Sequence, residues 1–162
     1  SRFASVRDAI MGAPGKIVDS AKAKLDQAKL NRLEKQYEKR AAHQQVLTDR
    51  KQFAASITGM SKEDKQLKLA ELRREENPGK LLNPKNAQEF ARQKQIADQI
   101  EMCKMSPEQL GRLSAKLDQR IEQNVQKKTS LGAQKDAQKA KVDLRQRQAQ
   151  GQNQGRGHGA QV

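Results

Sequence analysis

The side chains that could do chemistry are few and scattered. The sequence holds one cysteine, Cys103, and two histidines, His43 and His158. Cys103 shares an apolar stretch with Met102 and Met105, where a lone thiol reads as a small core residue and not as a nucleophile. His43 falls in a long polar helical run and His158 in the C-terminal tail. Neither has neighbours at the spacing of a metal site or a catalytic triad. Glu63-Asp64 and Glu75-Glu76 are adjacent acids, but adjacent residues on a helix point apart and make poor acid/base pairs. No glycine-rich loop leads into Lys-Ser or Lys-Thr, and no dinucleotide fingerprint occurs. The expectation is a protein that is not an enzyme and takes no metal or cofactor.

What the chain does have is positive charge. Lys and Arg number 33 against 19 Asp and Glu, a formal net charge of +14. The excess gathers toward the two ends, and residues 127–162 carry eight basic residues against Asp136 and Asp143. Lys127, Lys128, Lys135, Lys139, Lys141, Arg145, Arg147 and Arg156 are therefore the candidate residues for binding an anionic partner. A field of one sign concentrates such partners and speeds encounter.

Three partner classes fit that field. One is an acidic protein surface, with a homodimer as a further possibility for the apolar seams. A second is nucleic acid, gripped without sequence preference by Arg145, Arg147 and Arg156 in and before the glycine-rich tail. Its weakness is the lack of a stacking platform, since Phe3, Phe53, Phe90 and Tyr37 are the chain's four aromatics and lie far apart. The third is an anionic membrane surface. Phe3, Val6 and Ile10 share a helical face beside Arg7 and Met11, a short basic amphipathic segment, although docking of these side chains on the rest of the bundle is the favoured reading over membrane binding.

The elements that must position these cations are helices. Leu, Ile, Val and Phe make up 29 of 162 residues, below the roughly 20% under which high charge points toward disorder. Yet the remainder is rich in Ala, Gln, Lys, Arg and Glu, all good helix formers, and β-branched and aromatic strand formers are scarce. A long helix is expected over about 16–57, its thin, interrupted seam running through Val18, Ala21, Leu25 and Ala28 and then, on a shifted stripe, through Leu30, Leu33, Tyr37, Gln44 and Leu47. Gly59 suits its C-terminal end and Ser61 the next N-cap. A short helix over about 62–76 runs into Asn77-Pro78-Gly79, which stops it, leaving Leu81 and Leu82 as candidate pins. A second short helix, about 86–104, opens on Asn86-x-x-Glu89, a variant capping box, and carries Phe90, Ile96, Ala97, Ile100 and Cys103 on one face.

The clearest punctuation is Ser106-Pro107-Glu108-Gln109: an N-cap, a proline at the first helical position and a glutamine able to reach back. It opens a second long helix, about 106–150, with Leu110, Leu113, Leu117, Ile121 and Val125 as its seam. Past Lys127 large apolar residues thin to Leu131, Val142 and Leu144, and a solvated basic arm is expected. From Gly151 the sequence GQNQGRGHGAQV cannot repay its ordering entropy. One five-residue echo, Ala23-Lys24-Leu25-Asp26-Gln27 and Ala115-Lys116-Leu117-Asp118-Gln119, matches no standard repeat period.

The sequence thus predicts an all-α protein, an elongated helical bundle or antiparallel coiled coil, in three parts. Residues 1–126 form the helical module, 127–150 the basic arm and 151–162 a flexible tail. No run approaches the ~18 apolar residues of a membrane span, no signal peptide is visible, and the single cysteine favours a reducing compartment such as the cytoplasm. The expected function is a non-enzymatic scaffold or adaptor that binds an acidic macromolecule or assembles into a larger complex. Leu25, Leu33, Leu110, Leu113, Leu117 and Ile121 are its expected seam.

Overall fold

The structure is a computed structural model that describes the backbone over residues 15–160 and side chains over residues 18–151. The expected N-terminal amphipathic segment lies outside the described residues. Among those residues the protein is all-helical: α1 (Gly15–Thr58), α2 (Lys62–Glu75), α3 (Pro78–Leu82), α4 (Ala87–Cys103) and α5 (Pro107–Ala160). No helix among them is long and apolar enough to cross a membrane.

Each boundary follows from the local sequence. Ser61 Oγ accepts the N–H of Asp64 at 3.1 Å, and α2 carries Glu63 and Asp64 in its first turn and Arg73 and Arg74 in its last. Both charge placements favour the helix dipole. The Asn77-Pro78-Gly79 stop ends α2 as expected, but it also starts α3. The Asn77 side chain accepts the N–H of Gly79 at 3.1 Å, and Pro78 stands at the first helical position, where it lacks only a donor that no helix would use. Asn86 Oδ1 accepts the Glu89 N–H at 2.8 Å to cap α4. At the start of α5 the capping box closes in both directions. The Gln109 N–H donates to Ser106 Oγ at 3.2 Å, and the Ser106 N–H donates to Gln109 Oε1 at 2.9 Å. Beyond Gly151 the α5 backbone stays helical to Ala160. The flexible tail expected there falls on residues whose side chains, from 152, lie outside the described set.

The chain divides into two compact units, and both long helices contribute to each. The first, Ala42–Val125, is a core unit. Ala54, Ile57, Leu72, Ile96, Ile100, Met102, Cys103 and Leu110 form one buried cluster, with Phe53, Met60, Leu69, Met105 and Leu113 packed against it. Burying this apolar surface is the main force holding α1, α2, α4 and the start of α5 together. Two polar ties fix the arrangement. Arg50 grips Asp98 of α4 through two hydrogen bonds, at 2.8 and 3.2 Å. The buried Gln93 side chain accepts the Asn77 N–H at 2.8 Å and donates to the Glu75 carbonyl at 3.1 Å, satisfying backbone groups left over at the α2–α3 corner.

The second unit, Ser1–Ala41 with Gln126–Val162, is a seam unit. Among its described residues only Leu30, Leu33, Val142 and Gln138 are buried. Its backbone is nevertheless as regular as that of the core unit, so helix–helix contact here rests on something other than an apolar cluster.

Several expected apolar positions differ. Leu25 is 70% exposed and Val125, Phe90 and Leu82 are exposed too, while Leu81 is half-buried. Leu33, Leu110 and Leu117 are buried, and Leu113 and Ile121 are half-buried. The reason for Leu25 and Val125 is phase. The buried line runs through Asp26, Leu30 and Leu33 on α1 and through Leu117, Ile121 and Asn124 on α5. Leu25 and Val125 sit one residue to the side of it.

Candidate functional site

The covered positions reveal a heptad where apolar content alone shows none. On α1 one line of covered or half-covered residues runs through Asp26, Leu30, Leu33, Tyr37, Arg40, Gln44 and Leu47, with Ala41 half-covered beside it. On α5 the matching line runs through Leu117, Ile121, Asn124, Lys128, Leu131, Lys135, Gln138, Val142 and Arg145, with Gly132 and Asp143 half-covered beside it. The steps alternate strictly between four and three, which is the a/d spacing of a coiled-coil seam. About half the positions are polar, so a search for apolar residues loses the pattern after residue 127.

Most polar positions of these lines pair within their own unit. In the core unit Asn124 donates to Gln44 Oε1 at 2.8 Å, and Lys51 pairs with Asp118. In the seam unit Arg145 pairs with Asp26, and Gln138 donates to the Asp26 carbonyl at 2.9 Å. Tyr37 lies beside Gly132, where an added Cβ would stand 3.4 Å from the ring. Lys135 Nζ is 4.4 Å and Lys128 Nζ 5.6 Å from the ring centroid. Two ammonium groups this close to one aromatic ring make a cation–π arrangement. Partner numbers on α5 fall as those on α1 rise.

The segment expected as a solvated arm, 127–150, is therefore packed along one side, and the eight candidate cations separate into groups. Lys128, Lys135 and Arg145 belong to the seam: two stack on Tyr37, and Arg145 is held by Asp26. Lys127, Lys139, Lys141 and Arg147 are exposed. Arg156 lies beyond the described side chains. Sequence reasoning placed Tyr37 on the α1 stripe with Leu30 and Leu33 but missed Asp26, although its heptad phase with them could have found it. It also missed the α1 cations.

Phasing the exposed residues on this heptad sorts charge by position. With Leu30 and Lys135 taken as a, and Leu33 and Gln138 as d, the g and c positions of the seam unit carry Lys22, Lys29, Arg32 and Lys39 on α1. On α5 they carry Lys127 and Lys141. All six are exposed, and no described carboxylate of this unit occupies a g or c position. Glu34, Glu38, Asp136 and Asp143 all fall at e or b, and Asp19 and Asp26 fall on the seam line itself. The exposed leucines Leu25 and Leu144 are at c.

The other chemically capable groups are occupied or isolated. Cys103 is buried in the core cluster. Its burial pushes the thiol pKa up, and the nearby Lys68 and Lys65 offset this in part. Among the described residues no group of three or more His, Cys, Asp and Glu is placed to hold a metal ion. The concavity lined by Gln66, Leu69, Ala70, Arg73 and Arg74 is a shallow groove on α2 alone. Comparison with known proteins leaves the site to be read on its own chemistry: no family model matches the chain, and no curated protein or solved structure shows significant similarity to it.

Proposed function

We propose that this protein is a non-enzymatic helical scaffold whose long helices pair as an antiparallel coiled coil and present a cationic flank to an acidic macromolecular partner. The pairing is supported by the descending order of contacts, from Tyr37 with Gly132 to Asp26 with Arg145, together with the unbroken four–three spacing. In an antiparallel pair equivalent heptad letters fall on the same side. The g and c residues of both helices then form one flank, and the e and b residues the other.

The observation that carries the reading is the sorting of charge. A helix that needed lysine only for solubility would intersperse both signs around its exposed surface. Here six cations share one flank, and the carboxylates are confined to the opposite one or to the seam. Such a flank draws anionic surfaces and orients them as they approach. The nucleic-acid reading is the weaker of the two, because Arg145 is engaged by Asp26 and Tyr37 is covered by lysines, which leaves no free stacking platform among the described residues of the seam unit.

Titration of the full chain with polyglutamate tests the proposal. Binding is expected at about 50 mM salt and should weaken steeply as salt rises, because exposed charges are screened over about 10 Å at 0.1 M. No binding to any polyanion at the low salt concentration would sink the scaffold reading.

A further inference from the structure

We infer that the g/c flank of the seam unit is a docking groove for an acidic amphipathic helix of a partner protein, which would lie along the pair as a third helix. This deepens the scaffold reading and rests on it.

Three features select a helix over other anions. The first is periodicity. Lys22 and Lys29 on α1 are one heptad apart, and Lys127 and Lys141 on α5 are two apart. A heptad rises about 10.5 Å along a helix. A partner helix with one carboxylate per heptad matches this repeat rung for rung. The next g position on α1 is Gln36, and Gln134 lies between Lys127 and Lys141; their amides can both donate and accept.

The second is apolar content on the same flank. Leu25 is 70% and Leu144 54% exposed, and Val18 and Ala137 lie on the same c rows. Their heptad phase sets one leucine on each helix at a similar level, because the adjacent residues Asp26 and Arg145 pair with each other. Two exposed leucines flanking lysine rows give an apolar partner stripe something to cover, and the lysine stems extend that apolar floor while their ammonium groups reach the rim. A phosphodiester backbone has no use for them.

The third is charge complementarity. The chain's own residues 1–11 contain Arg2, Arg7 and Asp8, a net positive stretch that would be repelled by a flank of its own sign. A second copy of the seam unit would likewise bring cations against cations. An acidic helix from another protein has neither conflict.

The test compares three probes on the full chain by fluorescence anisotropy or flotation. The first is a synthetic four-heptad helix with leucine on one face and glutamate flanking it. The second is a mixed-sequence single-stranded RNA, and the third is a vesicle of phosphatidylcholine and phosphatidylserine. The combined variant Lys22→Glu, Lys29→Glu, Lys141→Glu should weaken binding of the acidic helix by at least roughly tenfold. The variant Lys24→Glu, Lys35→Glu, Lys139→Glu makes the same charge change away from the flank and should weaken it by no more than about twofold. Leu25→Ser with Leu144→Ser should cost the helix roughly three- to tenfold and leave RNA binding unchanged. All positions are exposed, so circular dichroism should show each variant folded.

Equal losses from the two charge variants would overturn the proposed groove. So would an inert leucine pair, or preference for RNA or vesicles over the helix. The last outcome would leave the broader scaffold reading standing with a different partner. Failure of every anionic probe to bind would remove both.

Discussion

The two units are built from the same two long helices and solve the packing problem in opposite ways. In the core unit, α2 and α4 bring in enough apolar surface to close a cluster around Ile57, Ile96, Leu110 and Met102. In the seam unit no such helices are present among the described residues, and contact is carried by single polar partners along a heptad: Asp26 with Arg145, and Tyr37 with Lys128 and Lys135. An apolar cluster is non-directional and gains free energy with area. A polar seam contributes less per residue, but it penalises every register in which a covered group loses its partner. Stability is thus concentrated in one unit and geometric selectivity in the other.

The largest test of this contrast is Ile57→Ala. Ile57 is fully buried in the core cluster, and its truncation should cost about 2–5 kcal/mol through lost transfer energy and a residual cavity. Urea melts followed by circular dichroism would measure it. A loss under about 1 kcal/mol would mean the cluster does not dominate stability.

Asp26→Ala sharpens the comparison from the other side. Asp26 keeps 16% of its side-chain surface and Arg145 31%, so the pair is only partly screened. Its removal should cost about 1–2 kcal/mol. Amide exchange should accelerate over residues near 26 and 145 and stay unchanged around Ile57 and Ile100. Acceleration spread evenly over both units would show that they do not behave as separate cooperative elements.

Smaller in size is Gly111→Ala in the core unit. A Cβ there meets nothing within 4 Å, and Gly111 lies within α5, so the change should add about 0.5–1 kcal/mol through helix propensity. A rise in thermal midpoint is the readout, and a fall would place an unseen contact at that helix face.

The least energetic test uses Cys103 as a reporter of core opening. Burial raises its pKa, so the folded state disfavours the thiolate. The sign follows: the folded state is favoured by this group below the thiol's ordinary range, and that contribution is lost as pH rises through the raised value. Alkylation of the folded chain should therefore be slow at neutral pH and quicken in urea along with unfolding of the core unit. Fast native alkylation at neutral pH would contradict the burial.

Much of the fold was legible in the residues. Ser61, Asn86 and the Ser106–Gln109 box announce their helices because capping is a local bargain between a side chain and the nearest unpaired amides. Leu33, Leu110 and Leu117 were placed on the seam from spacing alone. The seam past residue 127 was not legible by hydropathy, since Lys128, Lys135, Gln138 and Arg145 look like solvated residues until Tyr37 and Asp26 are set opposite them. Lys127 and Lys141 were among the cations singled out, but Lys22, Lys29, Arg32 and Lys39 join them only once the two helices share a heptad phase.

The echoed pentapeptide shows where local information ends. Ala23-Lys24-Leu25-Asp26-Gln27 and Ala115-Lys116-Leu117-Asp118-Gln119 are identical and both helical. Yet Leu25 is 70% exposed and Leu117 fully buried, while Asp26 is nearly enclosed by its arginine and Asp118 stays half in solvent beside Lys51. Helix formation depends on the few residues around each position, so the amino-acid sequence by itself determined that both copies are helices. Which face of each helix is covered depends on what stands opposite and in which phase. That was decided only when the helices met, and it makes one leucine part of a core and leaves the other on the surface.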